Sequence, residues 1–298
     1  MLGEISGGEC KCLKEVAICA ITGRETEISY ASLQNIGSGT FGVVTRISVN
    51  GSSEYALKRV FEKSAYMNRE LEMLQTVSHR CIVRAFWYFY EKQCKDGVFL
   101  NIIMEYVKSD LFFHIVKKTH FPRSSFIDYA VMLLEGLEYL HSLGIAHRDI
   151  KPSNVLIDVD AKILKLCDLG SAKKIAGAEN NVLYICSRYY RAPEIHEGAP
   201  YGLGIDIWAA GCVLFEMITH TTLFPGQTAS ACLERIHEVL NKSSLEAMAA
   251  TARREELADC VKILKEMLAF DPEKRASAKS ALRSFKILQS AESHANPK

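Results

Sequence analysis

The sequence carries almost no net charge, which excludes one broad class of partner. Its 298 residues include 36 Lys and Arg against 35 Asp and Glu, for a formal net charge of +1. Non-specific binding to nucleic acid or to an anionic membrane surface depends on an excess of basic residues. We therefore expect no nucleic-acid partner and no membrane partner, although a local basic pocket for one phosphate group is compatible with this composition.

Long apolar runs, leader features and paired cysteines are also missing. No apolar run approaches the roughly 20 residues that a membrane-spanning helix needs. The first residues include Glu4 and Glu9 where a secretory signal would be apolar, and Leu2 replaces the glycine that N-myristoylation requires. The ten cysteines show no CxxC spacing, which favours free thiols in a reducing compartment over disulfides or a zinc site. We expect a cytoplasmic location, with the nucleus left open as a second compartment.

The spacing of apolar residues changes once along the chain, near residue 108. Before that point, short β-branched and aromatic runs predict strands, interrupted by one helix that carries Leu71 and Leu74 on one face. After it, the spacing predicts a long helix from about residue 124 to Gly144 and further helices at 204–219, 229–240, 244–249, 254–269 and 277–284.

These elements predict an α+β fold in which a small β-rich lobe precedes a larger, mainly α-helical lobe. No internal repeat or low-complexity linker is present. The expected division is an N-terminal extension with an extra strand at 1–28, the small lobe at 29–107, the large lobe at 108–288 and a frayed C-terminal tail at 289–298.

The first motif with a chemical meaning is the glycine pattern at Gly37, Gly39 and Gly42. Because glycine has no Cβ, the backbone amides of such a turn can approach a phosphate group closely. A dinucleotide-binding fold needs a helix directly after the glycines, whereas Val43–Val49 has the composition of a returning strand. The flanks favour a strand–turn–strand loop over nucleotide phosphates. A glycine-rich hairpin without a ligand is the alternative that this motif alone leaves open.

Lys58 lies in the predicted strand that follows this loop. Alternation along a strand puts Ala56 and Lys58 on one face, where they would offer an apolar surface to a base and a cation to phosphates. Glu70, on the predicted helix, is a candidate partner that would hold the Lys58 ammonium against the α- and β-phosphates. Arg69 must then point away from this pair, because neighbouring helical residues diverge by about 100°.

The segment His147–Asn154 concentrates several reactive groups. Asp149 is a candidate acceptor for the proton of a substrate hydroxyl. Asn154 and, farther along the chain, Asp168 offer the oxygen ligands that Mg2+ prefers. In this order and spacing, the segment together with Asp168-Leu169-Gly170 is typical of an enzyme that transfers a phosphoryl group.

Together these motifs resemble those of the eukaryotic protein kinases, and within them the glycogen synthase kinase 3 family of the CMGC group. The resemblance extends from Ser29 to Phe285 and is strongest in the strings Asn68–Leu71, Leu164–Lys173 and Tyr184–Glu194. It implies the bilobal protein kinase fold. It also implies a serine/threonine kinase that transfers the γ-phosphoryl group of ATP, with Mg2+, to protein substrates.

The resemblance assigns roles by position. The implied catalytic residues are Lys58, Glu70, Asp149 and Lys151. Lys151 would neutralise the phosphoryl group in transfer. The implied metal ligands are Asn154 and Asp168. The implied ATP contacts are Ile36, Gly37, Gly39, Gly42, Val44, Ala56, Lys58, Met104, Glu105, Val107 and Leu156.

The resemblance further implies recognition of substrates that are already phosphorylated four residues C-terminal to the target. Arg69, Arg148 and Lys173 correspond to the family's pocket for that priming phosphate. Two guanidinium groups and an ammonium can bind a dianion through charge-assisted hydrogen bonds. An extended chain spans about 13–14 Å over four residues, a workable distance between such a pocket and Asp149.

Other family features map onto the large lobe. Tyr184 corresponds to an autophosphorylated tyrosine, with Arg188 and Arg191 as the expected partners of its phosphate. A tyrosine that is merely packed is the alternative.

Two structural contacts follow from the same resemblance. Glu194 should form an ion pair with Arg275. Asp206 should hold the backbone of the catalytic loop.

The sequence departs from the family at three places. Leu169 stands where kinases usually carry phenylalanine, no arginine lies near Ser6 to support N-terminal pseudosubstrate control, and the segment between Leu240 and Leu257 is short where the family has a long insert. A pseudokinase scaffold is one alternative that Leu169 and the short segment motivate. A proline-directed kinase of the wider CMGC group, without a priming preference, is the other.

The short segment before Leu257 leads to a prediction about scaffold proteins, because the family's insert forms much of its docking surface for them. We expect weak or absent binding of axin-type scaffolds. A calorimetric titration with an axin peptide should give no affinity in the micromolar range or tighter. Micromolar binding would contradict this expectation.

Overall fold

The computed structural model describes residues 12–39, 42–51, 53–62, 68–94, 97–175, 185–241, 244–251 and 254–295. Tyr184 lies outside these residues. The chain forms two compact units: Met1–Ser78 with Val83–Tyr106 is unit 1, and His79–Ile82 with Val107–Lys298 is unit 2. The first is rich in strands and the second in helices, which confirms the predicted fold class.

Unit 1 is built on a closed barrel of six antiparallel strands, in the order β1-β2-β3-β4-β6-β5. The strands are β1 Leu13–Cys19, β2 Glu25–Gly39, β3 Gly42–Val49, β4 Ser53–Glu62, β5 Ala85–Cys94 and β6 Gly97–Glu105. One helix, α1 Arg69–Thr76, lies between β4 and β5. The extra N-terminal strand closes the barrel, because β1 pairs with β2 along its length and with β5 through Ile18 and Cys19.

The interior of the barrel is apolar because successive residues of a strand point to opposite faces. Each strand contributes its inward set to one cluster of buried side chains: Ala17, Ile28, Tyr30, Ile47, Val49, Leu57, Phe89 and Ile103. The outward set of β4 includes Ala56 and Lys58. Burial of the barrel core therefore fixes which face of β4 carries these two residues.

Unit 2 is mainly helical. Its helices are α2 Leu111–Val116, α3 Arg123–Ser142, α4 Pro193–His196, α5 Gly204–Thr219, α6 Ala229–Asn241, α7 Ser244–Thr251, α8 Ala258–Met267 and α9 Ala278–Ala295. Its short strands are β7 Ser109–Asp110, β8 Ile145–Ala146, β9 Val155–Asp158, β10 Ile163–Leu166 and β11 Lys173–Lys174. None of the helices described here is long and apolar enough to cross a membrane.

The core of unit 2 surrounds α5. Every residue of this helix from Ile205 to Ile218 is buried, as expected of a helix that is apolar all round. Trp208, fully buried, stacks on Phe224 with ring centroids 5.3 Å apart. A helix enclosed in this way is a rigid base for the polar residue in its first turn, Asp206.

The C-terminal helix is longer than the sequence predicts. The apolar spacing suggests a helix at 277–284 and a frayed tail from 289, but α9 continues to Ala295. The added turns are held by polar contacts with α3: Gln289 Nε2 donates to Asp128 Oδ1 at 2.7 Å, and Arg123 Nε donates to Glu292 Oε1 at 2.6 Å. Apolar periodicity does not reveal such contacts, which explains the error.

Arg123 should be important for the stability of unit 2. It also forms two hydrogen bonds with Asp259, at 2.6 and 2.7 Å, and so joins α3 to both α8 and α9. We expect Arg123→Ala to lower the free energy of unfolding by about 1–3 kcal/mol, because two carboxylates lose a partly buried partner. Urea unfolding of the full chain measures this change.

The matched control is Arg235→Ala, which removes an exposed pair with Glu238 on a single helix. That change should cost less than about 0.5 kcal/mol. An equal fall in the free energy of unfolding for the two variants would show that the contacts of Arg123 stabilise unit 2 no more than an exposed ion pair does.

Candidate active site

The glycine turn of unit 1 contains one position where no other residue fits. Gly42 has a φ of +118°, and a Cβ built on it would lie 2.2 Å from the carbonyl oxygen of Arg59. A Cβ on Gly39 would meet nothing within 4 Å, and one on Gly37 would make only ordinary contact with Val44. Gly42 is thus required for the close approach of β3 to β4, a reason that the motif alone does not reveal. Residues 40 and 41, between Gly39 and Gly42 in the sequence, lie outside the described residues.

The register of the barrel brings several of the expected ATP contacts onto one face. Lys58 is paired with Val44 on β3 and with Ile102 on β6, and Ala56 is paired with Met104. Directly paired residues of neighbouring strands share a face, as do residues two apart on one strand. The face outside the barrel core therefore carries Val44, Ala56, Lys58 and Met104.

The remaining expected ATP contacts are distributed over both units. Ile36 is on β2, with 41% of its surface exposed, and Glu105 ends β6. Val107 and Leu156 belong to unit 2, where Leu156 lies on β9 and pairs with Asp110.

Lys58 and Glu70 form the predicted ion pair. Lys58 Nζ lies 2.6 Å from Glu70 Oε2, and both side chains are buried. Helix α1 presents Glu70 in its first turn because Asn68 caps the helix, accepting a hydrogen bond from Leu71 N at 2.9 Å. Arg69, the neighbouring residue, is exposed, as the helical divergence predicts. Such a buried pair holds the ammonium in one place and charged.

In unit 2, the Asp206 carboxylate holds the backbone of the predicted catalytic loop. Its Oδ2 accepts hydrogen bonds from His147 N at 2.8 Å and His141 Nε2 at 2.9 Å, and its Oδ1 accepts from Arg148 N at 2.9 Å. Arg148 has a φ of +66°, a left-handed conformation that is unfavourable for a non-glycine residue. The three hydrogen bonds offset this cost and fix the position of Asp149.

The pKa of Asp206 reflects the same contacts. Complete burial opposes its ionisation and would raise the pKa, but the hydrogen bond and charge of His141, together with the hydrogen bond from the Arg148 amide, hold it below the ordinary value. The carboxylate is therefore ionised, which is the form that accepts hydrogen bonds at both oxygens.

His147 joins the catalytic loop to the segment that carries Asp168. Asp149 N donates to His147 Nδ1 at 3.3 Å, so Nδ1 is the acceptor and the ring proton lies on Nε2. Nε2 then donates to the carbonyl oxygen of Cys167 at 3.0 Å. The His147 ring, which is fully buried, ties the backbone before Asp168 to the loop of Asp149.

The Asp149 carboxylate is surrounded by donors on both sides. Its Oδ2 accepts from Lys151 Nζ at 2.7 Å and from Asn154 Nδ2 at 3.1 Å. Its Oδ1 accepts from Ser187 Oγ at 2.9 Å and from Ser187 N at 3.2 Å. The Ser187 hydroxyl thus already donates a hydrogen bond to Oδ1, the interaction that a substrate hydroxyl would need.

Ser187 is a site residue that sequence reasoning misses. It lies within the string Tyr184–Glu194 that carries much of the resemblance, but nothing in its local sequence assigns it a role. Only the path of the chain after residue 184 brings it to Asp149, 38 positions away.

Asn154 and Asp168 lie at the open end of one hairpin. Strands β9 and β10 pair Val155 with Leu166, and Cys167 N donates to the Asn154 carbonyl at 3.0 Å, so Asp168 follows directly. Because Asn154 Nδ2 is engaged by Asp149, its Oδ1 is the atom suited to a metal ion. Two such oxygen ligands fit Mg2+, which keeps waters and substrate phosphates in its remaining positions. The described part of the chain has no cluster of three His, Cys, Asp or Glu that suits a metal.

The three cations of the expected priming pocket are divided between the units. Strand β11 pairs Lys173 with Ala146 on β8, so Lys173 lies in a small sheet of unit 2, and Arg148 follows the end of β8 by two residues. Arg148 is buried, and its Nε donates to the Ser171 carbonyl at 2.6 Å while its Nη1 donates to Tyr201 Oη at 3.0 Å. Arg69 belongs to unit 1.

The two arginines expected to bind a phosphate on Tyr184 contact backbone carbonyls. Arg188 Nη1 donates to the carbonyl of Gln227, and Arg191 Nε donates to that of Cys186 at 2.9 Å. Tyr184 itself is outside the described residues.

Glu194 and Arg275 form the predicted ion pair. The two groups meet through two hydrogen bonds of 2.7 and 2.8 Å, and both are almost fully buried. The Arg275 guanidinium also lies over the Trp208 ring.

Leu169, the residue that departs from the kinase pattern, is buried with 1% of its surface exposed, as an apolar side chain at this position should be.

Sequence comparison places these features in a family. The family described as "Protein kinase domain" matches residues 30–285. The "Probable serine/threonine-protein kinase MRK1 homolog" of Encephalitozoon cuniculi is 38% identical over 88% of this chain and 87% of its own length. "Protein kinase gsk3" of Schizosaccharomyces pombe is 40% identical over 79% of this chain and 63% of its own length, and "Protein kinase gsk31" of the same yeast is 41% identical over 75% and 60%. The chain thus spans less than two thirds of the two yeast proteins.

The Asp206 contacts lead to a stability prediction. In Asp206→Asn only one side-chain oxygen can accept, so at least one of the donors on His141, His147 and Arg148 must face an amide NH2. We expect the free energy of unfolding to fall by about 2–4 kcal/mol, since a buried polar network is left partly unsatisfied. Urea unfolding measures this loss.

Asp160→Asn is the matched control, because the Asp160 side chain is 86% exposed. It should change stability by less than about 0.5 kcal/mol. A stability of Asp206→Asn equal to that of the control would contradict the anchoring role.

Proposed function

This chain belongs to the protein kinase family as a serine/threonine kinase resembling glycogen synthase kinase 3, and on that premise we propose that it prefers substrates already phosphorylated four residues C-terminal to the target. The observation that carries its kinase chemistry is the environment of Asp149. One oxygen accepts a hydroxyl hydrogen bond, and the other is held by Lys151 and Asn154.

In this proposal Asp149 orients the substrate hydroxyl through Oδ1 and accepts its proton as the phosphoryl group is transferred. Ser187 Oγ donates the hydrogen bond to Asp149 Oδ1 that the substrate hydroxyl would donate. It therefore lies where we propose that the substrate hydroxyl binds. The Lys151 ammonium, 2.7 Å from Asp149 Oδ2, adds a positive charge where negative charge is transferred.

Residues of both units carry the chemical groups that ATP and Mg2+ need. ATP supplies the γ-phosphoryl group, and Mg2+ neutralises the charge of its phosphates. Asn154 Oδ1 and the Asp168 carboxylate are the proposed metal ligands. Lys58, kept charged by Glu70, is the proposed partner of the α- and β-phosphates, beside an apolar surface formed by Ala56 and Met104.

The preference for primed substrates rests on Arg69, Arg148 and Lys173. The pairing of β8 with β11 supports it. Lys173 lies on β11, and Arg148 lies two residues after the end of β8. The exposure of Arg69 supports it as well, since an exposed guanidinium is accessible to the phosphate group of a substrate. A proline-directed kinase without such a preference has no need for this combination.

Several further features belong to the same proposal. Tyr184 is the proposed regulatory phosphosite, with Arg188 and Arg191 as partners of its phosphate. The proposed partners are proteins, with no nucleic acid or membrane surface among them. Eight cysteines among the described residues take part in no disulfide, which supports the proposed location in the reducing cytoplasm, with the nucleus as a second compartment.

The priming proposal is tested with Arg69→Ala and a matched pair of peptides, one primed and one not. Loss of one cation from the pocket should lower kcat/KM for the primed peptide by about 10–100-fold, the effect of one charge-assisted hydrogen bond or more. The loss for the unprimed peptide should be several times smaller. A steady-state kinase assay measures both.

Two controls make the result specific. Arg24→Ala removes an exposed arginine elsewhere in unit 1 and should leave both rates unchanged. Asp149→Asn should abolish both rates, since it removes the proposed proton acceptor. Equal losses with both peptides in Arg69→Ala would remove the priming preference while leaving the kinase activity in place.

A further inference from the structure

The Arg148 guanidinium is held in place by two groups that no sequence motif connects. Nε donates to the Ser171 carbonyl at 2.6 Å, and Nη1 donates to the Tyr201 hydroxyl at 3.0 Å. Arg148 is 5% exposed and Tyr201 is 6% exposed, so both bonds are shielded from water. Hydrogen bonds from a charged donor are strongest in such surroundings.

The Ser171 bond fixes one end of the guanidinium relative to Lys173. Ser171 lies two residues before Lys173, and Lys173 is paired with Ala146 on the strand that leads into Arg148. Because the acceptor on Ser171 is a backbone carbonyl, this bond depends on the path of the chain and not on the side chain there.

The Tyr201 bond fixes the other end. A guanidinium is planar, so bonds at Nε and Nη1 together define the orientation of its plane. Neither Ser171 nor Tyr201 engages Nη2. Without the Tyr201 hydroxyl, the plane would be free to turn about the single remaining bond at Nε.

We propose that Tyr201 is a positioning residue for substrate selection: its hydroxyl sets the plane of the Arg148 guanidinium, and so directs Nη2 toward the phosphate of a primed substrate. The ligand is the dianion of a phosphoserine or phosphothreonine in an extended peptide. This inference rests on the proposed preference for primed substrates. It adds a residue that the cation trio does not include.

The effect should be larger on priming than on phosphoryl transfer. The Arg148 amide and the neighbouring His147 amide are held by Asp206, which does not contact Tyr201 in the bonds described above. The loop that carries Asp149 therefore keeps its own anchor when the Tyr201 hydroxyl is removed. Only the side chain of Arg148 loses an acceptor.

The test is Tyr201→Phe, assayed with matched primed and unprimed peptides. We expect KM for the primed peptide to rise about tenfold, the scale of one misplaced charge-assisted hydrogen bond, with a clearly smaller change in kcat. The ratio of primed to unprimed kcat/KM should fall by about fivefold or more relative to the wild type. Inorganic phosphate, used as a competitor of the primed peptide, should inhibit the variant more weakly than the wild type.

Tyr129→Phe is the matched control. Tyr129 is another buried tyrosine of the same unit, 2% exposed, and it has no hydrogen bond with Arg148. This variant should keep the wild-type ratio and the wild-type sensitivity to phosphate. Thermal unfolding of all three proteins shows whether each is folded, and Tyr201→Leu, which also lacks the hydroxyl acceptor, replaces Tyr201→Phe if the latter does not fold.

The outcomes separate this inference from the proposed function. A wild-type enzyme without preference for the primed peptide overturns the priming proposal and the inference together. A wild-type preference that Tyr201→Phe retains overturns the inference alone. Equal losses on both peptides also overturn it, because Tyr201 would then support the catalytic loop as a whole.

Discussion

The hydrogen bonds to the Asp206 carboxylate are the interaction on which the catalytic half of the site depends. This buried group lies in the first turn of α5, the helix around which the core of unit 2 is packed. It holds two backbone amides of the loop that carries Asp149, one of them at a residue with an unfavourable positive φ. A buried ionised carboxylate is stable only when its oxygens are fully satisfied. The same hydrogen bonds that keep Asp206 ionised therefore hold the backbone of the loop that carries Asp149.

The site extends outward from this anchor through a chain of single contacts. His147 joins the anchored loop to Cys167, and thus to Asp168, while Asn154 joins Asp149 to the same hairpin. Arg148 continues the network to Ser171 and Tyr201. The proposed proton transfer, metal binding and recognition of a substrate phosphate would thus all involve residues of the segment His147–Asn154. Unit 1, taken by itself, holds the buried ion pair of Lys58 and Glu70.

The sequence predicts the architecture correctly where the local spacing of apolar residues determines it. Alternation along β4 placed Ala56 and Lys58 together, and the barrel register confirms that face. Apolar spacing located most helices, because each buries a stripe against the core. It was wrong for the end of α9, where Gln289 and Glu292 are held by polar partners on a helix more than 160 positions away. It also did not indicate that Gly42 is needed for the backbone of β4 to approach.

The sequence by itself determined which groups are available for the proposed chemistry: a carboxylate to accept a proton, oxygen ligands for a metal, and a lysine with an acidic partner. It also determined the order of motifs that identifies the family. These follow from residue type and spacing, since reactive groups are set by the side chains themselves. Tertiary structure alone decided which other groups meet them. Ser187 reaches Asp149, and Tyr201 reaches Arg148, across 38 and 53 positions of chain. Such contacts depend on how helices and loops pack in three dimensions, and a hydrogen bond needs placement to within a few tenths of an ångström, which local pattern does not encode.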